Sequence, residues 1–340
     1  VLEPGSKQSV ADPMKEKMMK PRLTQIAAVA LLALSVAAGT AIAQQRVFFG
    51  IATGGTGGTY YPLGGMLAQV ISNNAEVKGA RISATAETGN ASVANAGLLG
   101  REAIESAFVA ADILGAAYSG ENQFEDKPQK NLRALGALYP ETVQLVAQPG
   151  IESVEDLAGE SVSSGSPGSG QYQLLTDLLD VHGLSRDDID EDFSSFSQAA
   201  GKIADGNLGA SLITAGTPTS SITELANSHD VNIVPLAGPE VDALLERQPQ
   251  YTSVEMPAGT YRGVDDPVQT LAVRAIWATH AGVSDEMAYN VTKALYENVE
   301  TLAQVHVKGR EISLESALES VTIPLHPGAE RFYREQGIID

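Results

Sequence analysis

Two glycine-rich loops, each entered from a short apolar run and left into a helix-like stretch, dominate this sequence. Arg46 to Thr53 reads as a buried strand and runs into Gly54-Gly55-Thr56-Gly57-Gly58-Thr59. Pro62 then suits the first turn of a helix reaching about Ser72. Glu160 to Ser164 reads as a second strand, followed by Gly165-Ser166-Pro167-Gly168-Ser169-Gly170 and a helix over Gln171 to Val181. Gly183 is a natural stop for that helix. A chain that alternates strand and helix builds an α/β structure around a mostly parallel sheet. The tandem of two such segments predicts two similar lobes.

The remaining elements fit that plan. Strands are expected at Ala80–Ala86, Ser106–Ala110, Ala210–Thr214, Val231–Leu236 and Val268–Ala278. Leu132–Leu138 and Thr142–Ala147 read as two strands separated by Tyr139-Pro140, where the chain first crosses between lobes. Helices are expected at Asn90–Gly100, Ala111–Tyr118, Phe196–Ala204, Ser220–Ala226 and Ala329–Gln336. A short helix at Val154–Ala158 would be capped by Ser153 and Asp156. A long one, capped by Ser284 and running to Val305, would bury Met287, Val291, Leu295, Leu302 and Val305. Trp277 lies in an apolar run and reads as core.

The start of the chain reads as an address. Lys15, Lys17, Lys20 and Arg22 precede the apolar run Ile26–Ala38, and Ala41-Ile42-Ala43 has the small residues of a cleavage site. The apolar run is short for a membrane span. Residues 14–43 therefore read as a secretory signal cleaved after Ala43, behind a motif-free segment 1–13. Lys and Arg total 22 against 42 Asp and Glu, a net charge of −20, so nucleic acid is not an expected partner. Cysteine is absent, which excludes disulfides, thiolate metal sites, a thiol nucleophile and lipidation at cysteine.

Glycine lets the backbone approach a ligand closely, and the N–H groups at a strand-to-helix turn suit a carboxylate or phosphate. Neither loop carries the lysine of a P-loop, and the dinucleotide pattern fails at Tyr60. No cofactor is expected. No nucleophile elbow or zinc helix is present, and the five histidines are scattered. A serine nucleophile at Ser166 or Ser169 with His326 would rest on residue types alone. Asp187-Asp188 and Asp265-Asp266 lack calcium-loop spacing, so no metal site is expected.

The first loop with its continuation, Gly54 to Gly64, resembles the opening signature of the TAXI family, the extracytoplasmic solute receptors of one class of TRAP transporters. Blocks at 88–95, 164–170, 215–218 and 257–261 agree in order, and Ile323 to Glu330 resembles the family's closing motif. The sequence departs at Ala110, where members tend to carry glutamine, and at Thr219-Ser220-Ser221, where a Gly-Ser pair is common. Both changes bear on the ligand more than on the fold.

The resemblance implies a two-lobed periplasmic-binding-protein fold, type II-like, with ligand in the cleft between lobes. Lobe 1 would combine residues 44–138 and 258–340, and lobe 2 would hold 139–257. It implies a binding protein and not an enzyme, located in the periplasm, that delivers a small-molecule carboxylate or an acidic amino acid to ion-gradient-driven TRAP permease subunits. The expected ligand contacts are Thr56, Gly57, Thr59 and Tyr60; Thr88, Asn90 and Ser92; Ser166, Gly168, Ser169 and Gly170; and Gly216 and Thr217. Asp112 can accept from an amine or cap a helix. A periplasmic sensor subunit, a serine hydrolase and a structural surface antigen are the alternative readings.

Overall fold

The computed structural model describes residues Arg46–Asp340, which form one compact unit. The leader and its cleavage after Ala43 lie outside the described residues, as does the segment 1–13. Among the described residues no helix is long and apolar enough to cross a membrane.

The chain opens with β1 (Val47–Ala52), α1 (Tyr60–Asn74), β2 (Glu76–Val77), β3 (Ala80–Glu87), α2 (Ser92–Gly100), β4 (Ser106–Ala110) and α3 (Ala111–Ser119). The long strand β5 (Leu132–Ala147) follows. Next come β6 (Ser161–Ser163), α4 (Gln171–Val181), β7 (Asp190–Asp192), α5 (Phe196–Ala204), β8 (Ala210–Ala215), α6 (Ser220–Ser228), β9 (Asn232–Val234), α7 (Pro239–Arg247) and β10 (Tyr251–Met256). A second long strand, β11 (Val268–His280), leads to α8 (Asp285–Tyr296), α9 (Val299–Leu302) and α10 (Pro327–Glu335). The fold is α/β, as the alternation predicts.

One sheet path runs β2-β3-β1-β4-β11-β5-β8-β6-β7, with β10 beside β11 and β9 beside β5. It has two wings. In the first, β3, β1 and β4 are parallel; in the second, β7, β6 and β8 are parallel. β5 and β11 are antiparallel partners along most of their length and belong to both wings. The C-terminal half of β11 pairs with β4, and its N-terminal half pairs with β10. The C-terminal half of β5 pairs with β8. α1, α8 and α10 cover one face of the first wing around Phe49, Leu67, Trp277 and Phe332. α5 and α6 cover the second wing around Ile203, Ile213 and Ile222. A further apolar cluster joins α2 and α3 to α4 and α7.

Three sequence expectations are corrected. Tyr139-Pro140 does not divide two strands, because β5 continues through both residues. Proline has no N–H for the ladder, and the strain is taken up by the partner: Pro140 faces Arg274, and the register shifts between Arg274 and Ile276. The Val154–Ala158 helix is only a 3-10 turn at Glu155–Leu157, ended by left-handed Gly159. Asp156 accepts from the N–H groups of Glu152 and Ser153, while the Ser153 side chain makes no cap. The long helix after Ser284 stops at Tyr296, because the Asn298 amide donates to Ala294 O and closes its last turn. Ser284 does cap it, accepting from Met287 N–H, but Val305 is exposed and not core.

His326 caps α10 and is 1% exposed. Its Nδ1 accepts from Gly328 N–H at 3.2 Å, which leaves Nε2 as the donor to Val283 O at 2.9 Å. Both nitrogens are thus engaged by backbone, one by Gly328 and one by Val283, which rules out the pairing of His326 with Ser166 or Ser169 in this structure. His326→Ala is expected to cost about 2 kcal/mol, because it leaves a buried carbonyl and a helix N–H unpaired. Urea unfolding checks this; a loss below about 0.5 kcal/mol would show the cap to be incidental.

Candidate functional site

The two wings face each other with the same ends. β1, β3 and β4 run at their C-termini into the starts of α1, α2 and α3; β6, β7 and β8 run into the starts of α4, α5 and α6. Helix N-termini carry partial positive charge and unbonded N–H groups. Between these ends lies a cavity of about 330 Å³. It is lined by the first loop, by residues 88–92, by parts of the second loop and by Ser195–Ser197. Glu141 of β5, Val273 of β11 and Tyr251 of β10 also line it.

Most of the expected contacts line this cavity: Thr56, Gly57, Thr59, Tyr60, Thr88, Asn90, Ser92, Asp112, Ser166, Ser169 and Gly170. Gly168, Gly216 and Thr217 do not; the first two instead bond one wing to the other. Gly168 O accepts from Ala94 N–H at 2.9 Å across the cleft. Gly216 O accepts from the Thr59 hydroxyl at 3.0 Å, and Ser221 N–H donates to Gly57 O at 3.2 Å. The Thr217 hydroxyl is buried without a hydrogen-bond partner. The next residues are fixed by Tyr261 and Gln144. Tyr261 Oη accepts from Thr219 N–H and donates to Gln144 Oε1, while Gln144 Nε2 donates to Thr219 Oγ1.

Local sequence explains the cavity wall. The Thr59 hydroxyl leaves its own helix uncapped because it reaches the other wing. Among the described residues the N–H groups of Gly57, Thr59 and Tyr60 donate to no protein acceptor. α2 starts two residues later than expected, because Ala91 takes a φ of 63° that glycine would adopt more readily. Such strain at a cavity wall is tolerated only where the surroundings enforce it. Ser92 Oγ accepts from Ala110 N–H at 3.0 Å and ties α2 to β4.

Glu141 is the main residue that the sequence reading missed. It is 3% exposed, and its Oε2 accepts from Tyr60 Oη at 2.8 Å. Burial, helped by the nearby Asp112 charge and opposed by the Tyr60 hydrogen bond, pushes its carboxyl up to about 8. Asp112 is the second carboxyl. Tyr251 Oη donates to its Oδ2 at 2.7 Å, and its Oδ1 is buried without a partner. Burial raises Asp112 too, against the Tyr251 bond and the α3 amides. Among the described residues no lysine, arginine or histidine lines the cavity.

A raised carboxyl makes the folded, ligand-free protein a better proton binder than the unfolded chain. The stabilisation is whole below the unfolded value near 4.5 and is lost as pH rises towards 8. Ligand-free protein should therefore melt at progressively lower temperature from pH 5 to pH 8. Glu141→Gln should flatten part of that decline and raise the melting temperature at pH 8, with Asp112 supplying the remaining slope. Parallel thermal melts at both pH values test this, and an unchanged slope in the variant would count against it.

The chain is similar to several solved structures at low identity. A protein from Bordetella bronchiseptica RB50 is 13% identical, with a TM-score of 0.53 over 85% of this chain and 98% of that one. The periplasmic aliphatic sulphonate binding protein SsuA from Escherichia coli is 15% identical, with a TM-score of 0.45 over 86% of this chain and 83% of that one. The ligand binding component of an ABC-type import system from Staphylococcus aureus is 11% identical, with a TM-score of 0.45 over 87% of this chain and 93% of that one. The first of these likenesses supports the α/β fold and nothing finer. Residues 51–337 match the NMT1-like family, and since that span takes in nearly all of the described chain, the protein belongs to the NMT1-like family.

Proposed function

We propose that the protein is a periplasmic solute receptor of the TAXI type, which captures a small organic acid or acidic amino acid and hands it to an ion-gradient-driven TRAP permease. The observation that carries this reading is the cavity enclosed between two wings that bond to each other across it. Free N–H groups at the start of α1 suit a carboxylate, as the first loop's glycines suggest. The likeness of the sequence blocks to the TAXI family supplies the permease partner. The export signal supplies the compartment.

In this reading the lobes are the described residues 46–138 with the C-terminal part, and the middle of the chain. The hinge is then the paired segment Tyr139–Glu141 and Val273–Ala275, where the ladder of β5 and β11 is irregular. On this reading the return crossing lies at the bulge beside Arg274 and not at residue 257, a placement supported by the pairing of β10 with the N-terminal half of β11. Ligand favours the closed form because it touches both wings only there.

The test is native mass spectrometry of the purified protein, with identification of any released molecule, followed by small-angle scattering with and without it. One intact small acid per chain and a smaller radius on binding are expected. A covalent adduct or a chemically converted ligand would sink the receptor reading.

A further inference from the structure

We infer that the ligand is anchored by a primary ammonium group seated against Glu141, with Asp112 as the second negative wall. This deepens the receptor reading and rests on it. A cavity open to either end of a dicarboxylate would be expected to place a cation where the second carboxylate lands. Here the deep wall holds two carboxyl groups, and no cationic side chain among the described residues faces them.

Both carboxyls are built in rather than incidental. Glu141 sits in a strand whose neighbours are buried, and Tyr60 from α1 holds one of its oxygens. Tyr251 from β10 holds Asp112, so elements of both wings fix the pair. Among the described residues no donor reaches the other Glu141 oxygen, which is left for a ligand. A buried carboxylate without a counter-charge is costly, and a ligand ammonium supplies that charge. The titratable groups that act on Glu141 are Tyr60, Tyr139, Tyr251 and Asp112, none of them cationic. The free amides of the first loop line the same cavity, so a carboxylate and an ammonium on one small molecule can be read at once.

A proton exchange accompanies this. In the empty site Glu141 holds a proton near neutral pH. An arriving ammonium favours the carboxylate, so the proton leaves to solvent as the ligand binds, and charge balances. A ligand with only carboxylates would instead hold that proton in place.

The experiment titrates dialysed, solute-free protein calorimetrically with matched pairs: glutamate and 2-oxoglutarate, leucine and 4-methyl-2-oxopentanoate, alanine and pyruvate. 1,4-Diaminobutane is added as an amine without a carboxylate. An amino acid should bind, with its oxo acid weaker by on the order of 100-fold, since the oxo acid leaves a buried carboxyl unpaired. Binding heats at pH 7 should vary with the buffer's ionisation enthalpy in the sense of proton release. Glu141→Gln should shrink the ratio to within about 10-fold, as a neutral partner cannot match the ionic bond. Tyr60→Phe, which keeps the carboxyl, should shift proton release without erasing the ratio. Oxo acids binding as tightly as amino acids, or an unchanged ratio in Glu141→Gln, would overturn the ammonium site and leave the receptor intact. Tight diamine binding alone would keep the ammonium and remove the carboxylate from the receptor reading. If no compound binds and scattering shows no closure, the receptor reading itself falls, and the ammonium with it.

Discussion

Gly57→Val should reduce solute affinity at least about 100-fold while leaving the protein folded, because it blocks closure and not folding. A Cβ at Gly57 would stand 2.3 Å from Ser197 Oγ and 3.3 Å from both Ser197 N and Ser221 Cβ. Ser197 and Ser221 begin helices of the second wing, whereas Gly57 belongs to the first. The hydroxyl of Ser197 can rotate away, but the backbone and the Cβ cannot, and valine adds two methyl groups to the same space. The clash exists only when the wings meet, so each wing keeps its own packing. Scattering should show the variant open at saturating solute, where the parent protein compacts. Full affinity in the variant would mean that closure at this loop is not needed for binding.

Trp277→Ala should cost about 4 kcal/mol of stability, the largest loss expected from any single side chain here. Trp277 is fully buried on β11, opposite Phe108 of β4 and Gly136 of β5. Phe49 of β1 meets it edge-on, with ring centroids 6.3 Å apart. Its indole N–H has no partner, so the whole loss is packing. Trp277→Phe should therefore cost only about 1–2 kcal/mol, since it also removes an unpaired donor. Urea denaturation of both variants separates the two. A similar cost for Phe and Ala would mean that the indole's size at this layer is not what the core needs.

What was legible follows physical locality. The glycine loops, the helices leaving them and the parallel strands entering them are local signals, and the structure keeps nearly all of them. Glu141 was not legible as a site residue because nothing near it in sequence marks a pocket. The available sign was subtler: one acidic residue inside an otherwise apolar run, at the point where proline was read as a break. Gly216 and Gly168 stand in the expected neighbourhood but outside the cavity lining, and their carbonyls accept from Thr59 and Ala94 of the facing wing, which sequence alone cannot show. α7 and β10 were missed because their exposed faces dilute the apolar periodicity.

The bonds from Thr59 to Gly216, from Ser221 to Gly57 and from Ala94 to Gly168 join one wing directly to the other, with protein atoms at both ends. The latch is therefore the protein's own, and its strength is the same for every solute. Escape of a captured molecule waits on unlatching, so the latch adds one fixed term to every residence time, and differences between solutes come from their own contacts with both wings. An empty protein can latch too, because no solute takes part in these bonds.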